Sequence, residues 1–221
     1  MANSHPLRHT GALLLVTLLI PVALDAQQDM ERSRDRQMQR PSREIDLAVS
    51  TLGLKPGDSV AEIGAGEARF TFRFAEVVGP LGRAYANELG ATKANRIRQE
   101  AERRELTNVV AIEGAADDTN LPDNCCDAMM MRHVYHMLTQ PEPMAKSFFR
   151  AVKPGGLLLI LEGNPQPRGR NAPGVPANRA GMGIDQQIVI DELTAVGFEF
   201  DRRVPEWVGS DYALVFRKPQ R

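Results

Sequence analysis

The stretch Val60-Ala61-Glu62-Ile63-Gly64-Ala65-Gly66-Glu67-Ala68-Arg69 decides the fold. Ser59 to Ile63 reads as a short buried strand, and the amphipathic run 70–78, ended by Gly79-Pro80, reads as a helix. Between them Gly64 and Gly66 let the backbone turn sharply, so that a ligand can lie against main chain where a Cβ would collide. A dinucleotide-binding Gly-x-Gly-x-x-Gly fingerprint would put its third glycine at position 69, which is Arg69. That disfavours a nicotinamide-dependent oxidoreductase. Glu62, two residues before the first glycine, would repel a diphosphate and suits a cationic or amino-bearing ligand better.

Outward from this turn, helical and strand-like segments alternate. Ile45, Leu47, Ala48, Val49 and Leu52 form one side of a short helix that Gly53 can end. Strands are predicted at 83–88, 108–113, 127–132 and 157–162, and helices at 92–105 and 143–152, with Lys153-Pro154-Gly155-Gly156 as a turn. The order β-α-β-α-β-β-α-β argues for an α/β, Rossmann-like, doubly wound and mostly parallel sheet. A helix at 185–196 and closing strands at 198–203 and 212–217 follow, giving an antiparallel C-terminal strand. The stretch 163–183 holds four prolines and five glycines without periodicity, and reads as a long surface loop able to cover a pocket. In such a sheet the end of the second strand lies beside the glycine turn, where a carboxylate can accept both hydroxyl hydrogens of a ribose; Glu88 stands there.

With 221 residues, 43% of them hydrophobic, the chain has ample length for one such domain. A formal charge of −1 gives no electrostatic case for nucleic-acid binding. The two cysteines, Cys125 and Cys126, are adjacent, which excludes a disulfide framework and a four-cysteine zinc site. They read as small residues at a strand edge, because neighbours on an extended strand point to opposite faces. At the N-terminus, Gly11 to Leu24 (GALLLVTLLIPVAL) carries no charge and is followed by Ala26, the pattern of a secretory signal peptide over 1–26. The run is shorter than the roughly 20 residues that span a bilayer, so stable membrane insertion after cleavage is not expected. Residues 27–43 read as a polar linker and 44–221 as the folded domain, and the expected location is outside the cytoplasm, in the periplasm.

The motifs VAEIGAGEA, Glu88 on the second strand, GAADDTNLPDNCCD after the third and VKPGGLLLILE for the helix-turn-strand that ends in the fifth stand in order. Over roughly residues 44 to 217 the chain resembles the class I S-adenosylmethionine-dependent methyltransferases, and within them the small bacterial ones with export signals, through RHVYHML and DYALVFRKP. The resemblance implies S-adenosylmethionine as cofactor and a small-molecule acceptor. It makes Glu62, Gly64, Ala65 and Gly66 the wall for the methionine part and Glu88 the ribose clamp. Ala115 stands where related members often carry an adenine-binding aspartate, which leaves Asp117 or Asp118 to serve from the same loop. The third glycine of the first motif is Ala68.

Methyl transfer from a sulfonium needs alignment and exclusion of water more than covalent help. A protonated acceptor also needs a base, and His133, Tyr135 and His136 sit just past the fourth strand, where a histidine can alternatively hold the cofactor carboxylate. As His-x-x-His the pair also suggests a metal, but no third ligand is supplied, so none is expected. Arg168, Arg170 and Arg179 either meet an anionic substrate or, as is more usual for such a run, are solvated loop residues; Met129, Met130 and Met131 read as sheet packing, and Trp207 and Tyr212 either line the acceptor pocket or cover the last strand. The rival reading is a non-catalytic protein that uses the same fold to bind a nucleoside-like or hydrophobic ligand.

Overall fold

Short runs bounded by turns become strands, buried on both faces at the centre of the main sheet and exposed or half-buried at its edges. In chain order these are β1 (Ser59–Ile63), β2 (Arg83–Leu89), β3 (Val109–Gly114), β4 (Cys126–Arg132) and β5 (Val152–Gly163), then β6 (Gln166–Pro167), β7 (Gly181–Met182), β8 (Glu199–Val204) and β9 (Asp211–Arg217). The helices are α1 (42–52), α2 (Arg69–Val78), α3 (Ala91–Arg103), α4 (Pro141–Ala151) and α5 (Gln186–Ala195). The computed structural model describes residues 42–167, 171–179, 181–205, 207, 209 and 211–220; the segment read as a signal peptide, most of the linker, Arg168 and Arg170 lie outside them.

Seven strands form one sheet in the order β3-β2-β1-β4-β5-β9-β8. The first five are mutually parallel, and β9 runs antiparallel to both β5 and β8. The predicted doubly wound α/β fold is therefore present, with β9 inserted between β5 and β8. The three methionines of β4 show how the layers form. Met129 and Met131 pack on one side with Phe148 of α4 and Leu193 of α5, and Met130 on the other with Leu52 of α1 and Phe74 of α2. All three are fully buried, as alternation on a central strand requires. Among the described residues no helix is long and apolar enough to cross a membrane.

Three expectations need correction. Lys153 to Gly156 does not precede β5 as a separate turn; the strand runs through it, and pairing with β4 jumps from Cys126↔Val152 to Ala128↔Leu157, so these residues form a bulge. The stretch after β5 is not structureless: β6 and β7 pair as a short antiparallel ribbon, and Asn171 bonds Pro176 O, Arg179 O and Gly181 N. Cys125 and Cys126 are joined in a vicinal disulfide. The opposite-face rule fails for this pair because β4 begins only at Cys126, and Cys125 follows Asn124 in a left-handed conformation (φ 49°).

Candidate functional site

The carboxyl edges of β1, β2 and β4 meet at the glycine turn. Gly64 and Gly66 have φ of +70° and +57°, the left-handed region that glycine enters without penalty. The turn hangs from β2, because the N–H groups of Gly64 and Ala65 both donate to Asn87 O, at 2.9 and 3.0 Å. A Cβ at Gly64 would come within 2.5 Å of Val134 Cγ2, so the first glycine also sets how closely β1 approaches the segment after β4. Ala68 is left-handed as well (φ 56°), a conformation costing an L-residue about 1–2 kcal/mol. Burial of its methyl group in a small cluster with Phe72 and Ile97 offsets part of that cost.

The two glutamates play different parts. Glu88 ends β2 nearly buried, its Oε1 accepting the Gly66 N–H at 2.6 Å and its Oε2 accepting the Leu89 N–H and Lys93 Nζ, each at 3.1 Å. It lines a cavity of about 250 Å³ together with Gly64, Leu89, Ala115, Ala116 and Met144. Glu62 stands outside that lining, buried under the first turn of α2, where its Oε2 accepts both the backbone N–H and the hydroxyl of Thr71. It acts as the cap that Ala68 lacks. Burial pushes its pKa up from 4.5 to about 7, against the Thr71 hydrogen bonds and the Arg132 charge.

Of the two loop aspartates, Asp118 is engaged elsewhere, accepting from Arg150, Ser147 and the Asn120 N–H. Burial alone would raise its pKa, but these donors outweigh it and hold the carboxyl low. Asp117 is exposed beside Ala116. The cavity wall at this loop is supplied by Ala115 and Ala116, an apolar slot suited to the faces of an aromatic base.

Beyond β4, two imidazole–carboxylate pairs form that the sequence did not announce. His133, left-handed at φ 53°, brings Nε2 to 2.9 Å from Asp211 Oδ2 at the start of β9. His136, in the 3-10 turn Tyr135–Met137, brings Nδ1 to 2.9 and 3.1 Å from the carboxylate oxygens of Glu162 near the end of β5. Tyr135 points the other way, fully buried, its hydroxyl donating to Glu192 of α5. Burial, reinforced by the Glu192 charge, holds its phenol proton well above the ordinary range, a setting for positioning rather than for proton exchange.

Arg179 was expected in solvent. It is buried instead, reaching Glu192 at 2.7 Å and tying the 171–179 segment to the residue that holds Tyr135. Trp207 is buried against the sheet, its indole N–H donating to Glu44, while the Tyr212 hydroxyl donates to Ile184 O. Glu162 ends the apolar run Leu157 to Leu161, but nothing in the sequence ties it to His136, and nothing ties Asp211 to His133.

Residues 61–160 match the family model described as "Methyltransferase domain". A ubiquinone/menaquinone biosynthesis C-methyltransferase UbiE from Ectopseudomonas mendocina is 32% identical over 125 residues, covering 54% of this chain and 48% of that protein. The chain thus spans about half the length of the curated relatives it matches. A crystal structure of an S-adenosylmethionine-dependent methyltransferase from Aquifex aeolicus superposes with a TM-score of 0.62 at 22% identity, covering 84% of this chain and 96% of that one. A second, of a possible exported protein from Bordetella parapertussis, gives 0.62 at 14% identity over 80% and 67%. The strand order is that of a solved S-adenosylmethionine-dependent methyltransferase fold, and residues 61–160, which hold the glycine turn and Glu88, are the part that matches the methyltransferase domain family.

Proposed function

We propose that the chain transfers a methyl group from S-adenosylmethionine to a small-molecule acceptor, and that it does so outside the cytoplasm after removal of residues 1–26. The observation that carries the reading is Glu88, a nearly buried carboxylate fixed by the Gly66 N–H at the mouth of an otherwise mostly apolar cavity. Gly66 N–H, Leu89 N–H and Lys93 Nζ take three of the carboxylate's four acceptor positions; one is open, and displacing the exposed Lys93 frees a second, so Glu88 can take two ribose hydroxyls. Ala115, Ala116, Leu89 and Met144 offer the adenine ring apolar contact, and Gly64 and Gly66 leave main chain bare for the methionine part. Asp117 is the loop carboxylate nearest to hand for the adenine amino group. When bound, the sulfonium supplies an electrophilic methyl whose positive charge disappears as it leaves, so alignment in a dry pocket suffices.

The C-methyltransferase name of the UbiE relatives supports a small organic acceptor. Export rests on the uncharged run Gly11 to Leu24 and on the small residue Ala26 after it. Mass spectrometry of the protein from its native compartment tests this part: a mature chain beginning after residue 26 is expected, and retention of residues 1–26 rejects export. Calorimetric titration with S-adenosylhomocysteine tests the chemistry: micromolar binding is expected, and no binding rejects it. Gly64→Val is expected to abolish that binding, since the new side chain meets Val134 at a left-handed position; affinity within threefold of wild type would remove the turn from the site.

A further inference from the structure

We propose that the cleft between α2 and α3 is a second binding site, for an anion built of linked phosphoryl groups, and that its occupant raises cofactor affinity by drawing Lys93 off Glu88. The coupling rests on the methyltransferase reading; the anion site does not. The cleft measures about 540 Å³ and opens beside the glycine turn. Its walls carry Arg69 from the start of α2 and Lys93, Arg96 and Arg104 from α3, with Gly66 and Ile97 between them. Lys93, Arg96, Ile97, Glu100 and Arg104 recur every three or four residues, so one face of α3 delivers all of them to the same side. Ile97 is buried in a cluster with Phe72, which turns that face toward α2.

Ion pairing leaves the cleft cationic. Among the described residues two carboxylates, Glu67 and Glu100, line it against four cations. Glu100 is taken by Arg104 at 2.7 Å and by Arg103 from outside the lining, while Glu67 is 83% exposed and 3.4 Å from Arg69. Arg104 is held by stacking over the Phe72 ring at 4.5 Å, and its Nη groups take no hydrogen bond among the described residues. Arg96 stands exposed, with no ion partner among the described residues. Guanidinium groups with free N–H pairs match phosphoryl oxygens two at a time. Lys93 and Arg96 lie one turn apart and can hold a single phosphoryl group, whereas Arg104 lies about 16 Å from Lys93 along the helix. A chain of phosphoryl groups therefore engages more of the wall than a lone phosphate does.

Lys93 joins the cleft to the cofactor cavity, because it lines both. Its Nζ rests 3.1 Å from Glu88 Oε2 on an exposed side chain, so a phosphoryl group can take it over at little cost. Glu88 then has two acceptor positions open for the ribose hydroxyls instead of one. Gly66, at the partition, keeps the other carboxylate oxygen fixed throughout. By linkage, whatever the anion adds to cofactor affinity the cofactor adds to anion affinity.

Calorimetric titration of the full mature chain with sodium tripolyphosphate at low salt is expected to give a Kd on the order of 0.1 mM, with orthophosphate at least about tenfold weaker. No binding up to about 5 mM, or equal affinity for the two, overturns the site. Arg96→Gln and Arg104→Gln, each checked for folding by circular dichroism, are expected to weaken tripolyphosphate binding at least about fivefold and to leave S-adenosylhomocysteine affinity within about twofold. Unchanged tripolyphosphate affinity in both variants overturns the site. At saturating tripolyphosphate, S-adenosylhomocysteine is expected to bind about three- to fivefold more tightly to the wild type and no more tightly to Lys93→Ala. Weaker binding, or the same gain in Lys93→Ala, overturns the coupling. No S-adenosylhomocysteine binding at all sinks the methyltransferase reading and leaves the tripolyphosphate result standing. Vesicles of phosphatidylglycerol are not expected to retain the protein, since the cations line a cleft; retention without tripolyphosphate binding assigns the face to a membrane surface and overturns the proposal.

Discussion

Glu88→Ala is expected to weaken S-adenosylhomocysteine binding by at least about 100-fold. The carboxylate is held at the cavity mouth by the Gly66 N–H at 2.6 Å, so it is already placed before any ligand arrives. Two ribose hydroxyls donating to it make charge-assisted hydrogen bonds of about 1.5–3 kcal/mol each, which together exceed a hundredfold in affinity. Alanine removes both, and it also takes away the acceptor of the Gly66 N–H, which loosens the turn. Lys93→Ala is the control. Lys93 pairs with the same carboxylate, but its side chain is 58% exposed, and an exposed ion pair contributes less than about 1 kcal/mol. A less than fivefold change is expected there, and either variant can be read by calorimetry with circular dichroism to confirm folding. Glu88→Ala with affinity within threefold of wild type would mean that the ribose is held by something else.

Glu88 was legible because its signal is local and topological together: a carboxylate closing a strand, one βα unit after a glycine turn. The sheet was legible for a similar reason, since strands buried on both faces must be written as unbroken apolar runs, and Met129 to Met131 could satisfy that requirement only at the centre. The carboxylate behind His136 was not legible. Glu162 lies 26 residues further on and meets the imidazole only because β4 and β5 are neighbours in register. Asp211 reaches His133 across 78 residues, through the insertion of β9 that no periodicity announces. Arg179 was misread for the opposite reason: a Pro/Gly-rich segment lacks a hydrophobic rhythm, yet Asn171 and Glu192 give it a fixed path and bury the guanidinium. The vicinal disulfide escaped because the rule applied to it holds within a strand, and Cys125 stands one residue outside.

Glu62→Gln is expected to separate stability from binding, with a sign that reverses between the two. In the unfolded chain the carboxyl titrates near 4.5; in the folded one burial raises it to about 7. Below about pH 4.5 both forms carry the proton and the residue adds no pH dependence. Between about 4.5 and 7 the unfolded chain ionises while the folded one keeps its proton, so stability falls as pH rises, and above about 7 a penalty of about 3 kcal/mol is fully present. Glutamine keeps an oxygen for the Thr71 N–H and hydroxyl but has nothing to ionise. The variant should therefore match wild type at pH 4.5 and exceed it by up to about 3 kcal/mol at pH 8 in denaturant titrations. Binding should move the other way. An amino group arriving behind the glycine turn favours the ionised carboxylate, so wild-type affinity for S-adenosylhomocysteine should fall as pH drops below about 7, while Glu62→Gln should bind about tenfold more weakly at pH 8 and lose that dependence. A stability difference equal at both pH values would show that the buried carboxyl is not the titrating group. Retained affinity in a stabilised variant would show that Glu62 serves only to cap α2, and that the cationic end of the cofactor is held without it.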